Sequence, residues 1–210
     1  MRHVIAFVGF KSSGKNTAAE ALAPHKFVSF SFADALKDSL AAIFCWDRAM
    51  LAGITAESRT WREEIDVWWA AKLDIPQFSP RWAMTHVGTD IMRRYLSADL
   101  WVYNVERRIM MLDDATSVVL TDARFPNEIA LAYRFNGRVF RIKRGPDPSW
   151  MEVARMANTE SSDAEHYQYM LEMQGIHSTE YAWIGAQVDG IIDNDGTITE
   201  LHNKIRERVL

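Results

Sequence analysis

The residues best suited to chemistry form one segment near the amino terminus, Gly9-Phe10-Lys11-Ser12-Ser13-Gly14-Lys15-Asn16-Thr17. Gly9, Gly14 and Lys15 have the G-x-x-x-x-G-K spacing of a phosphate-binding loop, or P-loop. The glycines let backbone N–H groups converge on a phosphate, the following helix adds the positive end of its dipole, and the lysine ammonium reaches the outer phosphates. The alternative is a turn with a chance lysine, but an apolar run precedes the segment and the helix-compatible TAAEALA follows it. The predicted phosphate contacts are Gly9, Lys11, Ser13, Gly14, Lys15, Asn16 and Thr17.

A second group of candidates lies after the apolar run SVVLT. Phosphoryl transfer needs cations around the moving group, a metal ion and two substrates held in line. Asp122 ends a predicted strand and is suited to hold Mg²⁺ through water or to orient an acceptor, and Arg124 supplies a cation beside Lys15. The alternatives are a helix cap for Asp122 and a surface salt bridge for Arg124. We predict catalytic roles for Lys15, Asp122 and Arg124.

The predicted metal ligands depart from the usual P-loop at one position. The residue after the P-loop lysine is normally Ser or Thr, whose hydroxyl holds Mg²⁺. Here that position is Asn16, and Thr17 lies one place later. We predict that Asn16, Thr17 and Asp122 hold Mg²⁺, through water.

Two further stretches carry cations. Gly88-Thr89-Asp90-Ile91-Met92-Arg93-Arg94 holds adjacent arginines on a predicted helix, where neighbouring positions diverge, so only one can point to a given site. Residues 145–187 contain Arg155 as their one Arg or Lys. If they close over a nucleotide as a lid, the cation must come from Arg144, Arg155 or His177. Glu180 belongs to the cluster His177-Ser178-Thr179-Glu180, for which a helix cap is the alternative.

Composition limits the class of protein. With 210 residues and 48% hydrophobic content, the chain can bury one substantial core plus modest insertions. A net charge of −4 provides no basic field for nucleic acid or an anionic membrane. The single cysteine excludes an internal disulfide and a Cys-based zinc site, and no apolar run approaches the ~20 residues of a membrane span. We expect a single-domain protein of the cytoplasm.

Hydrophobic patterning predicts an α/β fold with a five-stranded, mostly parallel sheet flanked by helices. The predicted strands are His3–Val8, Phe27–Phe32, Ser117–Thr121, Arg138–Lys143 and Val188–Asp193. Ligands of such sheets bind at the carboxyl ends of the strands. The residues at or just after those ends are the P-loop, Asp34, Asp122, Arg144 and Asn194, which indicates one shared site.

The predicted helices follow the strands. They begin near Lys15, Asp34, Pro80, Asp99, Pro126 and Ile198, and residues 57–73 form one further helical stretch. In that stretch Trp61, Ile65, Trp68 and Trp69 occupy one stripe, which we interpret as core or interface rather than a base-stacking surface. Ser79 and Pro80 are a predicted N-cap and first helical position of a helix that ends near Leu96.

With these residues placed, the chain resembles the bacteriophage deoxynucleoside monophosphate kinases, a branch of the P-loop nucleoside monophosphate kinase-like proteins. The resemblance spans nearly the whole chain in the family's order. It is carried by GFKSSGKNT, Phe32-Ala33-Asp34-Ala35-Leu36-Lys37, Val87-Gly88-Thr89-Asp90 with Arg93 and Trp101, Leu120-Thr121-Asp122-Ala123-Arg124 with Glu128, His177-Ser178-Thr179-Glu180, and Ile192-Asp193-Asn194-Asp195-Gly196.

The resemblance implies a three-layer fold and Mg²⁺-dependent transfer of the ATP γ-phosphoryl group to a deoxynucleoside 5′-monophosphate. This is a step of deoxynucleotide biosynthesis, located in the host cytoplasm if the protein is phage-encoded. The implied acceptor-binding residues are Asp34, Lys37, Thr89, Arg93, Arg124 and Glu128. Arg144 and Asn194 would lie near the adenosine of ATP, and Arg155, His177 and Glu180 in the lid.

The implied organisation is one kinase domain over residues 1–210, with an acceptor-binding helical region at about 34–112 and a lid-like insertion at about 145–187. Residues 53–80 and 145–175 match the family poorly, which leaves the accepted base open. The oligomeric state is also open, a homodimer included. A same-fold kinase of another acceptor, of the phosphomevalonate or dephospho-coenzyme A type, is the nearest alternative. A P-loop NTPase switch without an acceptor lacks its Asn/Thr-Lys-x-Asp base-reading motif here.

Overall fold

The five predicted strands form one parallel sheet in the computed structural model, which describes residues 2–210. The strands are β1 (Val4–Val8), β2 (Phe27–Phe30), β3 (Ser117–Leu120), β4 (Arg138–Lys143) and β5 (Gly190–Asp193). Their order is β2-β3-β1-β4-β5, and every neighbouring pair is parallel. The predicted fold class is therefore confirmed, although β2 ends two residues earlier and β5 begins two residues later than expected.

The core of the sheet lies around β1. All five residues of β1 are buried because the strand is central and covered on both faces. Ile5 pairs with Val119 of β3 on one side and Arg138 of β4 on the other, which aligns the carboxyl ends of the three strands. Apolar residues of the helices after β1 and β5, among them Ala18 and Ile205, pack in the same cluster.

The chain forms two compact units, described separately here. The sheet unit runs up to Ser31 and continues from Glu106 to Leu210, and the helical unit comprises Phe32–Val105. The predicted division into a kinase domain with an acceptor-binding region and a lid is a functional one and stays a prediction.

The sheet unit contains the P-loop helix and the helices that follow β3, β4 and β5. Its helices are α1 (Lys15–Glu20), a 3₁₀ turn (Ala23–His25), the end of α7 (Leu100–Met110), α8 (Pro126–Arg134), α9 (Met151–Ala157), α10 (Ala164–Met173), α11 (Ser178–Tyr181) and α12 (Ile198–Val209). The starts predicted at Lys15, Pro126 and Ile198 are confirmed. Among the described residues, no helix combines the length and the apolar character needed to cross a membrane.

The helical unit departs most from the sequence expectation. Its helices are α2 (Asp34–Phe44), α3 (Arg48–Ala52), α4 (Ala56–Trp61), α5 (Val67–Leu73), α6 (Pro80–Thr85), a π-helix (His86–Leu96) and the start of α7. The single helical stretch predicted over 57–73 is wrong, because Asp66 caps a new helix by accepting from the Trp69 N–H at 3.0 Å. The predicted stripe is wrong too, since Ile65 and Trp68 are 53% and 60% exposed.

The partly buried tryptophans of this unit have the core role expected of them. Phe44 contacts Trp46, Trp69 and Phe78, with ring centroids 4.7, 5.1 and 5.1 Å apart. Trp61 joins the same group through Trp46, at 6.0 Å. This aromatic cluster joins α2, α4 and α5, beside buried aliphatic residues such as Leu40 and Leu51.

The helix predicted from Pro80 to Leu96 changes its winding part-way. Ser79 accepts from the Trp82 N–H at 3.1 Å, so the predicted N-cap is confirmed. From His86 the backbone forms a π-helix that ends at Leu96. The Trp101 indole N–H donates to the Gly88 carbonyl at 2.9 Å, a contact thirteen residues away that the local apolar pattern does not reveal. Wide π turns are rare and occur frequently at functional sites.

Candidate active site

The P-loop adopts a conformation that requires its glycines. Gly9 and Gly14 have φ of 138° and 97°, where side chains are strongly disfavoured. A Cβ at Gly9 would collide with the Ile142 carbonyl of β4, and one at Gly14 would collide with the amide of Asn194. The loop is therefore pressed against the carboxyl ends of β4 and β5, as expected for a site at that edge.

Lys15 folds back over the loop that carries it. Its Nζ donates to the carbonyls of Gly9 at 2.7 Å and Phe10 at 2.8 Å. Burial of the ammonium, with the Arg124 guanidinium as second cause, lowers the pKa of Lys15 from 10.5 to about 8, while Glu180 and Asp122 act in the opposite direction. Four charged side chains thus interact at the P-loop: Lys15, Asp122, Arg124 and Glu180, called below the four-charge cluster.

The loop after β3 holds two members of this cluster in place. The Ser31 hydroxyl donates to Asp122 Oδ2 at 2.6 Å. Phe125, not Asp122, is the N-cap of α8, so the helix-cap alternative for Asp122 is wrong. Glu128 is buried, and its Oε2 accepts from the Arg124 N–H at 2.7 Å and the Phe125 N–H at 3.2 Å. These contacts fix the loop, so they support a positioning role for Glu128; its acceptor contact stays a prediction.

Arg124 forms an ion pair with a residue of the 145–187 segment. Its Nη1 donates to Glu180 Oε1 at 3.2 Å and to the Thr179 carbonyl at 3.4 Å. The salt bridge anticipated as an alternative is therefore present. Its partner belongs to α11 at the end of the 145–187 segment, so the pair joins the loop after β3 to the predicted lid.

Asn194 lies beneath the P-loop. The side chain is buried, and its Nδ2 donates to the Ser13 carbonyl at 2.8 Å, while its backbone N–H donates to the Lys143 carbonyl at 2.7 Å. These contacts tie β5 to the loop and to the end of β4. Its observed contacts are with the backbone of the P-loop and of β4, and its place near adenosine stays a prediction. Arg144, predicted with it, is exposed.

Both ends of the 145–187 segment meet the P-loop. Phe10 contacts Trp150 and Trp183, with ring centroids 5.4 and 5.0 Å apart. The buried Arg141 of β4 lies 5.6 Å from the Phe10 ring and 5.1 Å from the Trp183 ring, and pairs with Asp147. Sequence reasoning missed this aromatic group, and the one available signal was a charged residue inside the buried run of β4.

The other predicted lid residues have local partners. His177 is the N-cap of α11, with its Nδ1 accepting from the Thr179 N–H at 3.3 Å, so the helix-cap alternative is confirmed for His177. Arg155 pairs with Glu152 on the same helix at 3.6 Å and is exposed. Of the predicted lid residues Arg155, His177 and Glu180, Glu180 is the member of the four-charge cluster.

The helical unit carries the remaining predicted acceptor residues on two elements, Asp34 and Lys37 on α2, and Thr89 and Arg93 on the π-helix. The two elements touch where Leu36 packs on Gly88, leaving no room for a side chain there. Asp34 pairs with Arg48 at 3.1 Å, and Arg93 Nη1 donates to the Ala98 carbonyl at 2.9 Å. Asp34 is not the N-cap of α2, a position held by Ala33.

Comparison with known proteins gives one similar sequence. No protein-family model matches the chain. A protein of Acanthamoeba polyphaga mimivirus with the provisional name deoxynucleotide monophosphate kinase is 29% identical over 152 residues, which is 67% of this chain and 74% of that protein. A phage origin of the chain, part of the sequence expectation, stays a prediction.

Solved structures resemble the chain more distantly. A dephospho-CoA kinase from Campylobacter jejuni is 15% identical with a TM-score of 0.46, covering 99% of this chain and 95% of its own. A gluconokinase from Sinorhizobium meliloti 1021 is 12% identical with a TM-score of 0.40, covering 98% and 91%. Both scores lie below 0.5, so the fold described above rests on the sheet and P-loop of this chain.

Proposed function

We propose that the protein transfers the γ-phosphoryl group of ATP to a deoxynucleoside 5′-monophosphate. The observation that carries this proposal is the four-charge cluster at a P-loop: two cations close enough for Arg124 to lower the pKa of Lys15. The mimivirus relative supports the class of acceptor. In the reaction the bond from the β,γ-bridging oxygen to the γ-phosphorus breaks, and an oxygen of the acceptor phosphate forms the new bond, giving ADP and a diphosphate.

The P-loop residues have roles that follow from their contacts. The backbone N–H groups from Gly9 to Thr17 and the start of α1 bind the ATP phosphates. Lys15 exchanges its bonds to the Gly9 and Phe10 carbonyls for phosphate oxygens. Such a cation is most effective in the transition state, where charge spreads over the transferred group.

Mg²⁺ fits the side chains that surround this loop. Mg²⁺ prefers oxygen ligands and is commonly held by one or two carboxylates together with substrate phosphates and water. Asp122 offers a carboxylate oriented by Ser31, Thr17 a hydroxyl and Asn16 an amide oxygen, all near the start of α1 or the end of β3. When bound with ATP, Mg²⁺ would neutralise charge on the β- and γ-phosphates. The protein residues hold and orient those phosphates.

The acceptor is assigned to arginines outside the P-loop. Arg124 in the sheet unit and Arg93 in the helical unit can each grip a phosphate with two parallel hydrogen bonds. Within the helical unit, Asp34, Lys37 and Thr89 lie on α2 and the π-helix with Arg93, and all four are proposed acceptor contacts.

The decisive experiment measures acceptor-dependent ADP formation. The protein is incubated with Mg-ATP and each ribo- and deoxynucleoside monophosphate in turn, with Lys15→Ala as control. We expect diphosphate only with some deoxynucleoside monophosphates, and a loss of roughly three orders of magnitude in Lys15→Ala, as for removal of a transition-state charge contact. If no nucleoside monophosphate gives acceptor-dependent formation of ADP, the proposal is wrong. Steady ADP without an acceptor would favour the NTPase alternative.

A further inference from the structure

The salt bridge between Arg124 and Glu180 joins a proposed phosphate-binding arginine to the 145–187 segment. Arg124 Nη1 and Glu180 Oε1 are 3.2 Å apart, and the two side chains are 38% and 34% exposed. A phosphate can therefore reach Arg124 from solvent, and the carboxylate can leave without first unfolding a core.

The same carboxylate also acts on the P-loop. Glu180 raises the pKa of Lys15 while Arg124 lowers it, so the three groups share one electrostatic environment. Together with Asp122, the four-charge cluster has two positive and two negative members. The formal charges of these four side chains sum to zero. Because a phosphate carries more negative charge than a carboxylate, a phosphate that enters the cluster makes the total charge negative.

The helix that carries Glu180 is held by contacts that do not involve its carboxylate. Asn158 Nδ2 donates to the carbonyls of Tyr181 and Ile184, each at 2.8 Å. The Trp183 indole N–H donates to the Glu180 carbonyl at 3.0 Å. Because these bonds use backbone carbonyls, α11 does not depend on the charge of Glu180 for its place.

We propose that Glu180 is a displaceable counter-ion for Arg124. Its carboxylate occupies the Arg124 guanidinium, and an arriving phosphate displaces the carboxylate while α11 keeps its place through its backbone bonds. The proposal rests on the proposed function in taking a phosphate as the ligand. It adds a residue that competes with that ligand and acts on the affinity of the site rather than on the chemical step.

A binding experiment without turnover tests this role. Inorganic pyrophosphate is titrated by calorimetry at pH 6.5, where Lys15 with its pKa of about 8 is charged. We expect Glu180→Gln to bind pyrophosphate about two- to five-fold more tightly than the unaltered protein, the range of a partly exposed ion pair. Glu160→Gln, which removes an exposed charge from the same segment, should show no gain.

A double-mutant cycle tests whether Glu180 changes the affinity for pyrophosphate through Arg124. If Glu180 acts by occupying Arg124, the gain from Glu180→Gln should disappear in an Arg124→Gln background. Hydrogen exchange at residues 176–184 should be the same in Glu180→Gln and in the unaltered protein, because backbone bonds hold α11, so a change in affinity cannot be due to a displaced helix. Glu180→Asp, whose shorter carboxylate holds Arg124 less well, should change affinity in the same direction and serves if Glu180→Gln is unstable.

Several outcomes would overturn the proposal. Unchanged or weaker pyrophosphate binding in both Glu180 variants would do so, as would failure of the unaltered protein to bind pyrophosphate. A lower kcat in Glu180→Gln with unaltered affinity would make Glu180 part of the chemistry instead. Because the titration needs no acceptor, a negative result in the ADP assay would leave the counter-ion role standing and remove only the assigned reaction.

Discussion

At the scale of single residues, the neighbours of Lys15 decide how it works. A lysine at its ordinary pKa of 10.5 would stay charged at every physiological pH, but burial and Arg124 bring its pKa to about 8. Protonation of Lys15 in the ligand-free protein thus becomes sensitive to the other members of the four-charge cluster. The charge that binds phosphate is the protonated form, so affinity must fall as pH rises through this pKa.

The pH dependence is therefore predictable in sign. We expect kcat/KM for ATP, which reports the free protein, to be level below pH 8 and to fall about tenfold per pH unit well above it. The midpoint for ATP binding, measured by calorimetry, should move to higher pH in Arg124→Gln and to lower pH in Glu180→Gln, because Arg124 lowers and Glu180 raises the pKa of Lys15. A midpoint that stays fixed in both variants would contradict the assignment of the titration to Lys15.

For the secondary-structure elements, the sequence predicted those strands and helix starts that are set by local patterns of apolar and capping residues. β1 is an apolar run, β4 combines three apolar with three basic residues, and α8 and α12 begin at Pro126 and after a capping Thr197, so their positions are readable without tertiary information. The break at Asp66 and the π winding after His86 were not predicted. Both depend on side-chain contacts and hydrogen bonds that compete with a regular helix, and apolar spacing is blind to that competition.

The same distinction applies to the candidate site. The P-loop residues were identified because their geometry is set within nine consecutive positions. Asn194 was assigned to the nucleotide because its place after β5 was predictable, whereas its contact with Ser13, 181 residues away, was not. Arg141 and Phe10 were missed for the same reason: their partnership exists only after β4 and the P-loop are brought side by side.

The link from β5 to the P-loop yields a prediction about stability and binding. Asn194→Ala should lower the free energy of unfolding by about 1–3 kcal/mol, since it leaves the Ser13 carbonyl without its buried donor. ATP affinity should fall in parallel because the loop loses its support. Asp193→Ala, at the exposed last residue of β5 directly before Asn194, is the matched control. Denaturant unfolding and calorimetry measure both effects, and equal behaviour of the two variants would refute the positioning role.

The contacts of Phe10 with Trp150 and Trp183 indicate which part of the 145–187 segment is expected to move. Trp150 and Trp183 anchor its two ends, so we predict that exchange slows mainly within residues 151–176 when a two-substrate analogue binds. Phe10→Ala should keep the P-loop glycines and Lys15 but lose much of this protection, whereas Phe10→Tyr should retain it. Hydrogen exchange with mass spectrometry is the measurement. Unaltered exchange in the native protein would show that the segment is fixed structure.

At the scale of the whole molecule, the proposed substrates divide the functional residues. The P-loop and Asp122 belong to the sheet unit, and Asp34, Lys37, Thr89 and Arg93 belong to the helical unit. We propose ATP contacts for the first group, and acceptor contacts for Arg124 of the sheet unit and, separately, for the second group. A substitution that separates acceptor effects from ATP effects therefore tests the assignment of both substrates.

Arginine-to-lysine exchanges provide that separation, because they keep the charge and remove the two-bond grip on a phosphate. Arg124→Lys and Arg93→Lys should raise the acceptor KM and lower kcat, with a binding loss of about 1.5–3 kcal/mol, or about ten- to hundred-fold. Retaining the charge at position 124 also keeps its effect on the Lys15 pKa, so ATP affinity should change little. Arg94→Lys is the matched control: Arg94 is exposed and lies 5.8 Å from the Tyr95 ring, so its exchange should be nearly silent.

Steady-state kinetics give the acceptor constants, and calorimetry without acceptor gives the affinity for ATP. If Arg124→Lys weakens ATP and spares the monophosphate, the two substrates have been assigned the wrong way round. If Arg94→Lys affects the acceptor KM and kcat as strongly as Arg93→Lys does, our assignment of Arg93 to the acceptor-facing side of the π-helix is wrong. A π-helix makes that second result informative, because its wider turn displaces positions 93 and 94 from where an α-helix would put them.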